Sequence, residues 1–421
     1  MLLKNCKRVG GEKIDILILN GKIYKIAENI PEEEGKAEIL RITGENCDGM
    51  EIIDVKGKYI MPGIIDPHTH MRDPGLTQKE DFRSGSMACA KAGITTFLDM
   101  PNTKPETVNI KALENKRKIA EKKSIVNYGF HFGGSSDDNS EEIKKVKGVT
   151  SVKVFLNVST GKMLVEDETT LKNIISNSKF LSVHAEDEMI TKALEYNKDF
   201  GKGLYICHIS SEKEMKMAER AKKDPYFNND RHPVYVEVTP HHLFLDSGMR
   251  KDSHEKDQLY RMKPELKSAK DREYLWKSLN NGNIDTIGTD HAPHLKSEKL
   301  EKLIFGMPGV ETSLALMLTA CNEGKISLTK IQELMCENPA KIFKLTGKGQ
   351  LKEGFDADII IIDIEKEWTV TKEGLLSKCG WSPYEGWKLK GKNEITIVNG
   401  IVVFRDNKII ENKGREVEIN E

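Results

Sequence analysis

Two histidines one residue apart, His68 and His70, close an apolar run from Tyr59 to Ile65 that reads as a buried strand. Side chains two apart on a strand point the same way. Two imidazoles so placed can grip one borderline-soft cation. Arg72 continues the alternation and sets a planar, permanently charged fork beside them, where a carboxylate or phosphate can dock. Donors of the same kind end other short apolar runs. Lys153 lies in Val152-Lys153-Val154-Phe155, His184 follows Leu181-Ser182-Val183, His208 follows Tyr205-Ile206-Cys207, and Asp290 follows Ile287-Gly288-Thr289. A lysine between apolar strand residues must find a partner or lose its proton. Its ammonium is useless to a metal, but an amine that has added CO2 is a carbamate whose oxygens can bridge two cations about 3.5–4 Å apart. In that scheme His68, His70 and Asp290 hold one zinc and His184 and His208 the other. Carbamylated Lys153 and a hydroxide join them. The shared water becomes a nucleophile at neutral pH, and Asp290 carries its proton to the leaving nitrogen as general acid/base.

The elements that must place these residues alternate short apolar runs with longer helical patterns, the signature of βα units. The candidate strands are Ile60–Asp66, Ile94–Met100, Ile125–Phe132, Ser151–Leu156, Phe180–His184, Leu204–His208, Val234–Thr239 and Asp285–Thr289. Helical patterns include Thr77–Lys91, Val108–Lys123, Glu166–Asn177, Ala185–Lys198, Glu212–Lys222 and Asp271–Leu279. The spacing predicts an α/β fold, a (β/α)8 TIM-type barrel over residues 59–345. Such barrels keep their chemistry at the C-terminal strand ends, where the donors above fall. Residues 1–58 and 346–421 read as short strands, with hairpin signals at Asn20-Gly21 and Asn399-Gly400. They predict one small β-sandwich module built from both chain termini.

A net charge of −1 on 421 residues gives no bulk attraction to nucleic acid or an anionic membrane. The 7 cysteines form no Cys-x-x-Cys pair and no disulfide framework, so a reducing cytoplasm is expected. The start, Met1-Leu2-Leu3-Lys4, lacks the apolar region of a signal peptide, and no apolar run approaches the ~20 residues of a membrane span. His131, His232, His254 and His291 are left without a role, and His241 and His242 read as structural hydrogen-bonding residues. On position alone Asn102 reads as a turn residue, and His294 divides evenly between loop and substrate contact. Asn157 to Gly161, just past Lys153, reads as a closing loop.

The stretches His68-Thr69-His70-Met71-Arg72-Asp73-Pro74-Gly75, Met100-Pro101-Asn102-Thr103, Val152–Leu156, Val183-His184-Ala185-Glu186, Ile206-Cys207-His208-Ile209, Val238–Leu243 and Asp290-His291-Ala292-Pro293-His294 run in this order through the middle of the chain. Together they resemble the amidohydrolase superfamily of metal-dependent hydrolases and, within it, the dihydroorotase family. Gly354–Asp358 resembles the superfamily's return into its β module. The resemblance implies reversible cyclisation of N-carbamoyl-L-aspartate to L-dihydroorotate plus water, in pyrimidine synthesis, with two Zn2+ bridged by carbamylated Lys153. It implies that Arg72 and Asn102 bind the substrate carboxylate, helped by His294. Lys263 stands before Pro264, where many relatives carry Asn or Arg, and can meet the carboxylate as a point charge. Phe305-Gly306 aligns with a substrate-contacting backbone pair.

Hydantoinases (dihydropyrimidinases) and allantoinases resemble the same scaffold, but their substrates lack the ring carboxylate. Arg72 with Asp73-Pro74-Gly75 and Pro101-Asn102-Thr103 favours dihydroorotase. A third reading is a non-catalytic assembly homologue; such proteins typically lack several ligands, and here all the candidate ligands are present. By resemblance, partners beyond the small-molecule substrate are a second copy of the chain or aspartate carbamoyltransferase.

Overall fold

A computed structural model describes residues 1–44, 49–158, 163–227 and 232–420. Of the expected closing loop, residues 159–161 lie outside the described residues. The barrel strands, numbered here β1 to β8, are Ile64–Thr69, Ile94–Asp99, Asn127–Phe130 continued by Phe132–Gly133, Val152–Phe155, Leu181–His184, Leu204–Ile206, Val234–Val238 and Thr286–Ile287. Each pairs in parallel with the next. The ring closes where Thr69 bridges His291 in parallel and the His70 N–H donates to the His291 carbonyl at 2.8 Å. Nearly every strand residue is buried, as a parallel sheet covered on both faces requires. Each Val, Ile or Leu so enclosed contributes roughly 1.5–3 kcal/mol.

Helices between the strands begin where a capping side chain allows. The helix expected from Thr77 starts at Phe82, because Asp81 accepts from the Ser84 N–H and Ser84 returns the bond. Ser211 and Glu214 form the same reciprocal pair at the start of Glu212–Lys223, and Asp167 accepts from the Thr170 N–H at the start of Glu168–Asn177. The helix expected from Ala185 starts at Glu188, after Asp187 at φ +51°.

Strands from both termini form one sheet, ordered from Lys408–Ile409 through Ile401–Arg405, Lys388–Val398, Ile359–Thr369, Tyr59–Pro62 and Leu2–Arg8 to Lys13–Leu19 and Lys22–Ala27. Its inner face gathers Leu3, Ile16, Ile60, Ile359 and Ile397 into the core of the β sandwich. The strand expected over Ile60–Asp66 is two strands. Tyr59–Pro62 pairs antiparallel with Ile359–Ile362 of the terminal sheet, and the barrel starts after Gly63. A Cβ on Gly63 would lie 2.0 Å from the Thr95 hydroxyl, so only glycine lets the chain cross there.

Two stretches beyond residue 346 leave the sheet for the barrel. Residues 370–387 reach its catalytic end, where Trp381 Nε1 donates to the His294 carbonyl at 2.8 Å and the Tyr384 hydroxyl lies 3.0 Å from His241 Nδ1. The last residues run to the other end, where the Val417 N–H donates to the Tyr128 carbonyl at 2.8 Å. Among the described residues no helix is long and apolar enough to cross a membrane.

Candidate active site

A cavity of about 350 Å³, counted out to its open mouth, lies at the C-terminal ends of the barrel strands. Ten of the residues singled out in the sequence line it: His68, His70, Arg72, Asn102, His184, His208, Lys263, Asp290, Phe305 and Gly306. Lys153 and His294 do not. Lys153 is wholly buried, with Nζ 2.9 Å from Cys207 Sγ. His294 stands behind the lining, with Nε2 3.1 Å from an Arg72 guanidinium nitrogen and 3.0 Å from the Phe305 carbonyl, and Nδ1 2.9 Å from Lys79 Nζ.

One Asp290 oxygen lies 3.0 Å from His70 Nε2 and 3.4 Å from His68 Nε2. The donor atoms of these three side chains fall within 4.8 Å of one another, the spread of a single-cation site. His184 Nδ1 and His208 Nε2 approach to 2.9 Å; His184 Nε2 lies 3.5 Å from a Glu186 carboxylate oxygen, and the buried His208 Nδ1 has no hydrogen-bond partner among the described residues. Burial, with the neighbouring His184 and Lys153, holds His208 well below its ordinary range, and burial also lowers His184. Neutral imidazole is the form that binds metal. Burial opposes charge on His68, but the Glu237 and Asp290 carboxylates prevail and raise it to about 10. Burial opposes charge on Asp290 too, yet His68 and His70 keep its carboxyl well below the usual range. The Asp290 carboxylate, the neutral His70, His184 and His208 rings, and a His68 whose proton a bound cation would displace are the donor set of a cation centre, so these residues fit the metal that the sequence implies.

The backbone is strained at three of these positions. Arg72, His208 and Asp290 occupy the left-handed region at φ +60°, +36° and +46°. Non-glycine residues there cost about 1–3 kcal/mol each, and such strain clusters at functional sites. The rest of the barrel over-determines them. The His208 N–H donates to Glu237 Oε1 at 2.8 Å, and the Met71 N–H donates to Asp99 at 2.7 Å.

Arg72 is buried, its Nε donating to the Pro293 carbonyl at 3.1 Å. Burial lowers the guanidinium to about 10, partly offset by Asp290 and Asp99, so it stays charged at neutral pH. Among the described residues it forms no ion pair within 4 Å, and it lines the cavity together with Asp290. Asn102 Oδ1 lies 2.6 Å from His70 Nδ1 and so orients that ring. Lys263 Nζ sits 5.3 Å from the centre of the Phe305 ring.

The sequence reading passed over Glu237. It is fully buried in β7, 2.7 Å from His68 Nδ1, and also accepts the Tyr205 hydroxyl at 2.8 Å. Its signal was present: a carboxylate inside Val234–Val238, an otherwise apolar strand. Gly288 makes room for it, since a Cβ there would meet Glu237 Oε2 at 2.3 Å. The histidines without an assigned role include satisfied structural ones. His131 bonds Ser151 and the Pro67 carbonyl, and His242 bonds Thr239 and the Pro264 carbonyl.

The Amidohydrolase family profile matches residues 59–403. A dihydroorotase of Pyrococcus abyssi is 38% identical over 418 residues, covering 93% of this chain and 94% of that protein. A dihydroorotase of Methanosphaera stadtmanae is 33% identical, covering 97% of both. Among solved structures, the L-hydantoinase (dihydropyrimidinase) of Arthrobacter aurescens superposes with a TM-score of 0.87 at 28% identity, covering 99% of both chains. By profile, full-length similarity and shared fold, this chain belongs to the amidohydrolase family and, within it, to the dihydroorotases.

Proposed function

We propose that this protein interconverts N-carbamoyl-L-aspartate and L-dihydroorotate in the cytoplasm, as a zinc-dependent cyclic amidohydrolase. The observation that carries the reading is the buried, charged Arg72, which forms no ion pair among the described residues, in the same cavity as His68, His70, His184, His208 and Asp290. A cyclic amide bearing a carboxylate is the substrate that uses both halves of that cavity.

His68, His70 and Asp290 would hold one Zn2+, His184 and His208 the second, with Lys153 as a carbamate between them. When bound, the two cations supply Lewis acidity toward the ring carbonyl and acidify a water. The chain's own residues do the rest. Arg72 grips the substrate carboxylate through charge-assisted bonds. Asn102 and Lys263 bound the same end of the cavity, and His294 braces the guanidinium from behind. Phe305 and Gly306 wall the cavity in which the ring would sit. Asp290 accepts the proton of the attacking water and delivers it to the ring nitrogen as the amide C–N bond breaks. In the synthetic direction the protonated Asp290 returns that proton to the departing water.

The test is an assay of carbamoyl aspartate and dihydroorotate beside allantoin and dihydrouracil, before and after prolonged chelation. Turnover of the first pair alone, lost on chelation and restored by Zn2+, is expected. Turnover of only the control pair would replace this reading with a hydantoinase or allantoinase activity, and indifference to chelation would remove the metal.

A further inference from the structure

The N-terminal ends of β4 to β7, opposite the catalytic cavity, surround a second cleft of about 1000 Å³ counted out to its open mouth. In barrels of this kind that end is ordinarily closed by packing and serves stability. Here its floor is aromatic. The partly exposed Phe180 and Tyr235 rings stand edge to face, 6.1 Å apart centre to centre, and the buried Phe343 ring stands edge to face with Phe180 at 5.9 Å. Its rim is cationic. Lys202 comes from the turn before β6, and Lys341 and Lys344 from the helix end and turn after Asn338–Ile342. These three lysines are exposed and, among the described residues, form no ion pair. Among the described residues no Asp or Glu lines the cleft.

An apolar aromatic floor takes the face of a planar ring, because stacking needs only a π surface. Lysines on two separate elements take a compact multivalent anion as point charges. A bare phosphate would leave the floor empty, and an uncharged ring would leave the lysines without a partner. We propose that this cleft is a binding site for a nucleoside 5′-phosphate, its base against the partly exposed rings of Phe180 and Tyr235 and its phosphate against Lys202, Lys341 and Lys344. The site is independent of the reaction assigned to the other end of the barrel.

The experiment is calorimetric titration of the full chain with uridine 5′-monophosphate and adenosine 5′-monophosphate, and with uridine and inorganic phosphate as controls. The proposal expects one nucleotide site per chain, tighter by tenfold or more than either control and weakened as salt rises. Lys341→Glu with Lys344→Glu should weaken nucleotide binding at least tenfold while leaving turnover unchanged, and Lys202→Glu should do so from the opposite rim. Arg72→Ala, in the catalytic cavity, should leave nucleotide binding intact. The absence of nucleotide binding overturns the proposal. So do phosphate binding as tight as the nucleotide's, full binding in both rim variants, or binding lost only in Arg72→Ala.

Discussion

Lys116 and Lys153 are both wholly buried in the barrel, yet their surroundings are opposite. Lys116 Nζ lies 2.6 Å from an Asp99 carboxylate oxygen and donates to the Met100 carbonyl at 2.8 Å. Lys153 Nζ has a thiol at 2.9 Å, and among the described residues no carboxylate pairs with it. A buried ammonium beside a carboxylate is complete and serves the fold. A buried amine whose neighbours are a thiol and, at 5.2 Å, the Phe155 ring is incomplete as it stands, because among the described residues no carboxylate matches its charge. Adding CO2 removes that charge and makes an anion where the imidazoles can share a cation with it. On the function proposed above, the difference separates a lysine that holds the barrel together from one that equips it for chemistry.

The comparison is broken most directly at Lys153. Lys153→Ala should lower kcat/KM for dihydroorotate by about 10³-fold or more, the order of losing a charged group from the centre of an active site. Its melting temperature should hold, and short carboxylic acids should restore part of the activity. Lys116→Met should do the reverse. It strands Asp99 in the core and should cost about 3–5 kcal/mol in denaturant unfolding, with turnover per folded chain within a few-fold of the parent. Equal losses of activity in the two variants, with equal stability, would end the distinction. Arg72→Ala should cost roughly 10²-fold in kcat/KM on the carboxylated substrate, mostly through KM, as expected for a lost charge-assisted bond. Glu237→Gln should weaken metal retention about 10–100-fold, measured by competition with a chelator, because the carboxylate that orients His68 loses its charge. Retention equal to the parent would reduce Glu237 to packing.

Much of this was legible in the sequence because a strand end is a simple object. His184 and His208 each close an apolar run, and the run fixes both the depth and the direction of the ring. The order of strands and helices followed from the same alternation. What the sequence concealed depends on contacts between distant segments. Gly63 divides one apolar run between two sheets, and only the approach of Thr95 reveals it. Glu237 is an interior residue of a strand, and its partners His68, Tyr205 and His208 come from two other strands. His294 carries a motif position that suggested substrate contact, yet its ring faces Arg72, Lys79 and the Phe305 carbonyl. Residues 370–387 read as part of the β module, and their packing over the catalytic end rests on Trp381 and Tyr384 reaching carbonyl and imidazole partners in the barrel.

The measurement nearest to the central claim is 13C NMR of zinc-loaded protein equilibrated with 13C-bicarbonate. The account predicts one carbamate resonance, stoichiometric with the chain, in the parent and in Lys116→Met, and its disappearance in Lys153→Ala. An active parent protein without that resonance, or its survival in Lys153→Ala, would contradict the account.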